Sequence, residues 1–188
     1  MSEAPRQIQA TITFLSMEAR VGGPPPPRPL LKGLMLLRAE NVPVHFYRYL
    51  YRTIGKPYYW TERLLMSDED LAAYLADART ALYILYSGAV PAGMAELDFR
   101  DKDPDQVNQA QIAYFGLAPE FIGRGIGPWF LYQTLDFAWD EGVSRIVVNT
   151  SSRDHRRALS TYQRAGFVPY GRGEHTIILP PDFPLPPA

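Results

Sequence analysis

At 188 residues, 46% hydrophobic and 21% charged, the chain is long enough for a sizeable core, and we expect one soluble domain spanning 1–188. A formal net charge of −1, from 19 Lys and Arg against 20 Asp and Glu, leaves no global basic field for nucleic acid, and no apolar run approaches the roughly 20 residues of a membrane span. The absence of cysteine removes disulfides, thiolate metal sites and thiol nucleophiles together.

Residues 1–7 lack the basic start and apolar stretch of a secretory signal, so a cytoplasmic protein is expected. Residues 7–17 alternate apolar and polar side chains, with β-branched residues among them, as a half-buried strand does. The stretch 22–29, Gly-Gly-Pro-Pro-Pro-Pro-Arg-Pro, is a proline-rich connection, because proline offers no amide to a helix or a ladder. Residues 34–38 read as a buried strand. Pro43 opens a helix through Tyr51, which Gly55 and Pro57 end. Ser67, three residues before Asp70, is a capping signature for a second helix from Leu71 to about Ala78.

The apolar runs 81–86 and 92–99 flank Ser87-Gly88-Ala89-Val90-Pro91 and predict an antiparallel hairpin. A polar turn at 101–105 precedes a strand over 110–117 that runs straight into glycines. Leu131, Leu135 and Ala138 share a helical spacing within 128–139, and Gly142 stands at the C-terminal cap position. Residues 145–149 form the next strand. Ser152 or Asp154 then caps a last helix in which Ala158, Tyr162 and Ala165 share a face, ended by Gly166. Residues 176–179 close the sheet, and the tail 180–188 is too rich in proline for either element. The fold class is α/β (α+β), a mixed and mostly antiparallel central sheet flanked by helices. The histidines His45, His155 and His175 have no metal-ligand spacing, so no metal is expected.

Between Gly116 and Pro128 a strand passes into a helix through glycines at 123, 125 and 127. Such a loop turns amides toward one point at the positive end of a helix, which suits phosphate or pyrophosphate. Taken alone, it is equally a device for positive φ and close packing. A dinucleotide fingerprint would need glycine at Pro128, and no Gly-Lys-Ser/Thr follows for an NTPase loop.

Residues 114–127, Tyr-Phe-Gly-Leu-Ala-Pro-Glu-Phe-Ile-Gly-Arg-Gly-Ile-Gly, resemble the coenzyme A motif of the GNAT superfamily, Q/R-x-x-G-x-G/A. Gly125 and Gly127 match, and Ile122 stands at the Gln/Arg position. Ala158, Tyr162, Gly166 and Phe167 resemble the family pattern N-x-x-A-x-x-x-Y-x-x-x-G-F, with His155 in place of Asn. The resemblance covers roughly residues 81–170.

That resemblance implies a GNAT-like fold and acetyl-CoA-dependent N-acetylation of a primary amine on a small molecule or peptide. Acetyl-CoA, the cosubstrate, would be held by Phe115, Gly116 and Leu117 on the strand edge and by Gly123, Arg124, Gly125, Ile126 and Gly127 in the loop. His155, Ala158 and Tyr162 would complete its site. Tyr162 is the implied general acid, its phenol protonated at neutral pH; without the motif it reads as a core tyrosine. Gln111 cannot serve as base. Glu96 and Asp98, on one strand face, are the candidates, or else a solvated face. Arg153, Arg156, Arg157 and Arg164 suit the 3′-phosphate or plain surface, and Tyr58, Tyr59 and Trp60 suit an acceptor pocket or the core. The departures at Ile122, Gln111 and His155 motivate a second reading, a coenzyme A-binding module without catalysis. The acceptor's identity and the oligomeric state, a homodimer included, stay open.

Overall fold

The computed structural model describes residues 6–100 and 108–185; the first five residues, the polar turn expected at 101–105 and the last three residues of the tail lie outside them. In chain order the elements are β1 (Gln7–Met17), β2 (Leu34–Ala39), α1 (Val44–Gly55), α2 (Glu62–Leu65), α3 (Asp68–Ala76), β3 (Thr80–Ser87), β4 (Val90–Asp98), β5 (Gln109–Leu117), α4 (Ile126–Asp140), β6 (Arg145–Ser151), α5 (Ala158–Ala165) and β7 (Val168–Ile178). They build a seven-stranded sheet of order β2-β3-β4-β5-β6-β1-β7. Only β5 and β6 pair in parallel, so the sheet is mixed and mostly antiparallel, as the sequence predicts.

Local chemistry accounts for most boundaries. Ser67 Oγ accepts the Asp70 amide at 3.0 Å and donates to the Asp70 carboxylate at 2.8 Å, so the short Asp closes the cap of α3. The turn between β3 and β4 has just two residues, Gly88 and Ala89, both at positive φ (56° and 66°), the geometry that matches the twist of a hairpin. Pro91 sits beside a bulge in the β3 ladder, where its missing amide costs no regular bond. Helix α1 buries Tyr47, Leu50, Tyr51 and Ile54 at spacings of three and four. Helix α4 begins at Ile126, two residues before the expected start, because a helix needs no amide from Pro128 in its first turn.

Four expectations are corrected. Strand β2 lies at the edge of the sheet among the described residues rather than being buried, and Met35 and Leu37 are 48% and 51% exposed. Strand β7 starts at Val168, eight residues before the apolar signal at 176. Its first half, with Gly171, Gly173 and polar neighbours, is held by the ladder to β1, and the ring of Phe14 covers both glycines. Neither Ser152 nor Asp154 caps α5, whose N-cap is Arg157 without a side-chain bond; Ser152 Oγ instead accepts the amide of Thr11 at 3.1 Å. The short helix α2 carried no periodic signal in its four residues.

The sheet separates two cores. On one face Leu15, Phe130, Leu131, Ile146 and Phe167 pack with α4 and α5; on the other Tyr47, Leu50, Tyr51, Ile54 and Leu71 pack under α1 and α3. The described residues of the proline-rich tail form no regular element, yet Phe183 is fully buried against Ile8, Ala10, Ile177 and Leu179.

Candidate active site

The parallel pairing of β5 and β6 ends at Ile112 and Val148. Opposite β4, Glu96 pairs with Tyr114 and Leu97 with Ile112, which leaves Ala113 as an extra, bulged residue. A bulge bends its strand and increases the local twist. Beyond it, residues 114–117 pair with β4 alone, while β6 continues beside β1 through Ser151. Between the diverging strands lies a cleft of about 620 Å³, within the size range of small-molecule and cofactor sites.

The glycine loop forms one end. Gly123 and Gly125 have φ of 80° and 73°, and a Cβ added at 123, 125 or 127 would meet nothing within 4 Å. Among the described residues no backbone carbonyl takes up the amides of residues 123–127. Gly125 is the N-cap of the fifteen-residue helix α4, so these unpaired donors stand at its positive end. Gly123, Gly125, Ile126 and Gly127 line the cleft, as do Phe115, Gly116 and Leu117 of β5 and His155, Ala158 and Tyr162. The Arg124 side chain does not. Its guanidinium lies over the Phe121 ring, 5.4 Å from the centroid.

Tyr162 is only 7% exposed and packs edge-on to Phe115 and Phe167. Its hydroxyl has no hydrogen-bond partner among the described residues. Burial, reinforced by the charge of Asp154, holds that phenol above the usual tyrosine range, so it stays protonated at neutral pH. His155 Nδ1 accepts the Arg157 amide at 3.2 Å, which leaves the proton of the neutral ring on Nε2. Arg156, Arg157 and Arg164 line the cleft, and none of their side chains makes an ion pair or hydrogen bond among the described residues. Arg153 is occupied elsewhere, with its guanidinium on the carbonyl of Gln9.

Aromatic side chains build the opposite wall. Tyr58, Tyr59 and Trp60 line the cleft, and Trp60 lies 5.0 Å from Tyr114, centroid to centroid. That approach requires glycine at two places: a Cβ on Gly116 would sit 2.6 Å from Ile54 Cγ2 and one on Gly55 2.4 Å from the Trp60 ring. Two carboxylates stand on this wall. Glu62 accepts the Tyr114 hydroxyl and lies 3.6 Å from His175 Nε2. Asp154 accepts the Ser151 amide at 2.8 Å, the Thr150 hydroxyl at 2.9 Å and the Trp60 indole at 3.5 Å. Burial holds its carboxyl above the usual range, against the pull of these three bonds.

The structure corrects the expectation for Glu96 and Asp98. Neither is a solvated face and neither lines the cleft. Glu96, 1% exposed, accepts the hydroxyls of Tyr47 and Tyr74 and a 2.8 Å bond from Arg63, and Asp98 is held by the backbone and guanidinium of Arg100. Glu96 thus faces Tyr47 of α1 and Tyr74 of α3 rather than the cleft. Gln111 is also outside the cleft. Glu62 and Asp154 escaped the sequence reading because one lies in an unpatterned segment and the other looked like a helix cap.

Solved structures with this fold include a functionally unknown conserved protein from Staphylococcus epidermidis, with TM-score 0.60 and 14% identity over 92% of this chain. The chain spans 64% of that protein's length. An aminoglycoside acetyltransferase from an uncultured soil metagenomic sample, bound to sisomicin, gives TM-score 0.58 and 15% identity over 71% of this chain and 87% of its own. AAC(6')-Iy in complex with the bisubstrate analogue CoA-S-monomethyl-acetylneamine gives 0.57 and 17% over 73% and 92%. No curated protein matches in sequence. The sequence profile of the acetyltransferase (GNAT) family matches residues 47–167, well over half the chain and both strands that bound the cleft, so the chain belongs to the GNAT acetyltransferase family.

Proposed function

We propose that the protein transfers an acetyl group from acetyl-CoA to a primary amine, with both held in the cleft between β5 and β6. The observation that carries this reading is the unpaired set at one end of the cleft: the free amides of the glycine loop, three uncommitted arginines and the solitary Tyr162 hydroxyl. Residues 123–127 fit a pyrophosphate, because their amides are free and no side chain fills the space before them. Arg156, Arg157 and Arg164 suit the additional phosphate of coenzyme A. The free edge of β5 at 115–117 suits the amide-bearing arm, which would add to it as a strand does.

Acetyl-CoA supplies the activated acetyl group as a thioester. Tyr162 gives the departing sulfur a proton, and its burial keeps that proton available near neutral pH. The aromatic wall shields the reacting groups from water, and Glu62 gives an ammonium a carboxylate to approach. The AAC(6')-Iy complex, with coenzyme and acceptor joined in one ligand, supports the placing of both in one cleft here. Free thiol release from acetyl-CoA with a panel of primary amines tests the reading, alongside melting curves. At 100 times Kd, acetyl-CoA should stabilise the fold by about 2.7 kcal/mol. A shift in melting without turnover of any amine would leave a coenzyme-binding module in its place.

A further inference from the structure

We propose that Asp154 is the base that takes the proton from the acceptor's ammonium, working in the same cleft as Tyr162. The inference rests on the N-acetyltransferase reading above and names a group that the reading lacks.

Among the described residues Glu62 and Asp154 are the only carboxylates that line the cleft, and their surroundings separate their roles. Glu62 is 57% exposed, with Tyr114 and His175 beside it. An exposed carboxylate with neighbours of its own suits attraction of a cation toward the cleft. Asp154 is set deeper. Its Oδ2 carries both the Ser151 amide and the Thr150 hydroxyl, which fix the plane of the carboxylate. Its Oδ1 has only the indole of Trp60, at the 3.5 Å limit of a hydrogen bond. One oxygen therefore anchors the group, and the other keeps a lone pair for a ligand. Tyr162 is 7% exposed as a residue and lines the cleft, and its hydroxyl, without a partner among the described residues, is a second and independent sign that polar groups here await a reacting molecule. The groups facing Asp154 are Tyr58, Trp60 and Glu62 from the aromatic wall and Tyr162 from α5. His155, Arg156 and Arg157 follow it in the chain and line the same cleft. Burial raises its proton affinity, which favours a base over a mere counterion.

The step balances without any further reactant. The ammonium gives one proton to Asp154 Oδ1, and the freed nitrogen lone pair forms the C–N bond as the C–S bond breaks. Sulfur takes a proton from Tyr162, which recovers it from the nitrogen. Asp154 then releases its proton to water, so one proton appears for each amide and free thiol formed.

Asp154→Asn removes the basic oxygen and retains an acceptor for Ser151 and Thr150. With an alkylamine at pH 7, kcat/KM should fall by roughly 10²-fold or more, while acetyl-CoA Kd by calorimetry stays within about twofold of wild type. With methoxyamine, which is already neutral at that pH, the loss should shrink to less than about tenfold, since no ammonium proton has to leave. Equal losses with both amines would mean a structural role and overturn the proposal. Thr150→Val tests it without touching the carboxylate. Losing a bond that favours the charged form should move the acidic limb of the alkylamine profile to higher pH, and an unmoved limb counts against Asp154. A wild-type protein that binds acetyl-CoA but acetylates no amine removes the parent reading, and this one with it.

Discussion

Two polar regions flank the middle of the same sheet, and they differ in what the protein leaves undone. Around Glu96 both carboxylate oxygens have donors, from Tyr47, Tyr74 and Arg63, and the Arg63 guanidinium also stacks 4.0 Å from the Tyr74 ring centroid. In the cleft, five consecutive loop residues, three arginines, one carboxylate oxygen and a buried phenol lack strong partners. Polar groups that open onto a cleft without protein partners keep their donors and acceptors available to a ligand. A completed network holds elements together; an incomplete one marks where a ligand belongs. The comparison also explains why an acidic residue on a central strand is a poor guide to the base in this chain.

Substitutions can break the comparison from either side. The largest effect is expected at Gly125, where the φ of 73° disfavours any side chain and a carboxylate would face the anion site. Gly125→Glu should abolish acetyl-CoA binding by titration calorimetry in a protein that still melts cooperatively. Retained binding would detach the loop from the coenzyme. Next comes Glu96→Gln, which leaves Arg63 buried beside neutral partners and should cost about 3 kcal/mol of stability. That lowers Tm by on the order of 10 °C, with kcat of the folded fraction unchanged. Normal stability with lost turnover would make Glu96 catalytic after all. The smallest of the three is Tyr162→Phe, expected to lower kcat by roughly 10²-fold, about 2.7 kcal/mol in the barrier. Coenzyme binding and melting should hardly change, because the hydroxyl has no partner to lose.

How far the site could be read in advance follows the range of the interactions involved. Gly123, Gly125, Gly127, Ala158 and Tyr162 belong to contiguous segments, and a local turn or helix places each of them on the cleft. Asp154 and Glu62 meet only after folding, being 92 positions apart in the chain. Their roles depend on Trp60, close to Glu62 in the chain, and on Tyr114 and His175, which come from two further stretches. Glu96 misled for a related reason. Strand alternation tells which side chains share a face, and it is silent on what covers that face.

By itself the sequence determined the local and the periodic: the alternation of β1, the Ser67 cap, a hairpin turning within 87–91, the helical faces of α4 and α5, and the glycine loop with its family pattern. Each rests on forces acting within a few residues. Tertiary structure alone decided that β1 is inserted between β6 and β7, pairing Gln7 with Ile178 and Ile12 with Ser151. It decided, too, that β7 begins in a polar, glycine-rich stretch and that Phe183 is buried from a tail without regular structure. It set the bulge at Ala113 that opens the cleft, and the closing of Glu96 as Asp154 is left half free. The physical reason is common to all of these. Ladder pairing, burial and hydrogen-bond completion depend on partners from tens of residues to well over a hundred away, and no local propensity encodes which partner will arrive.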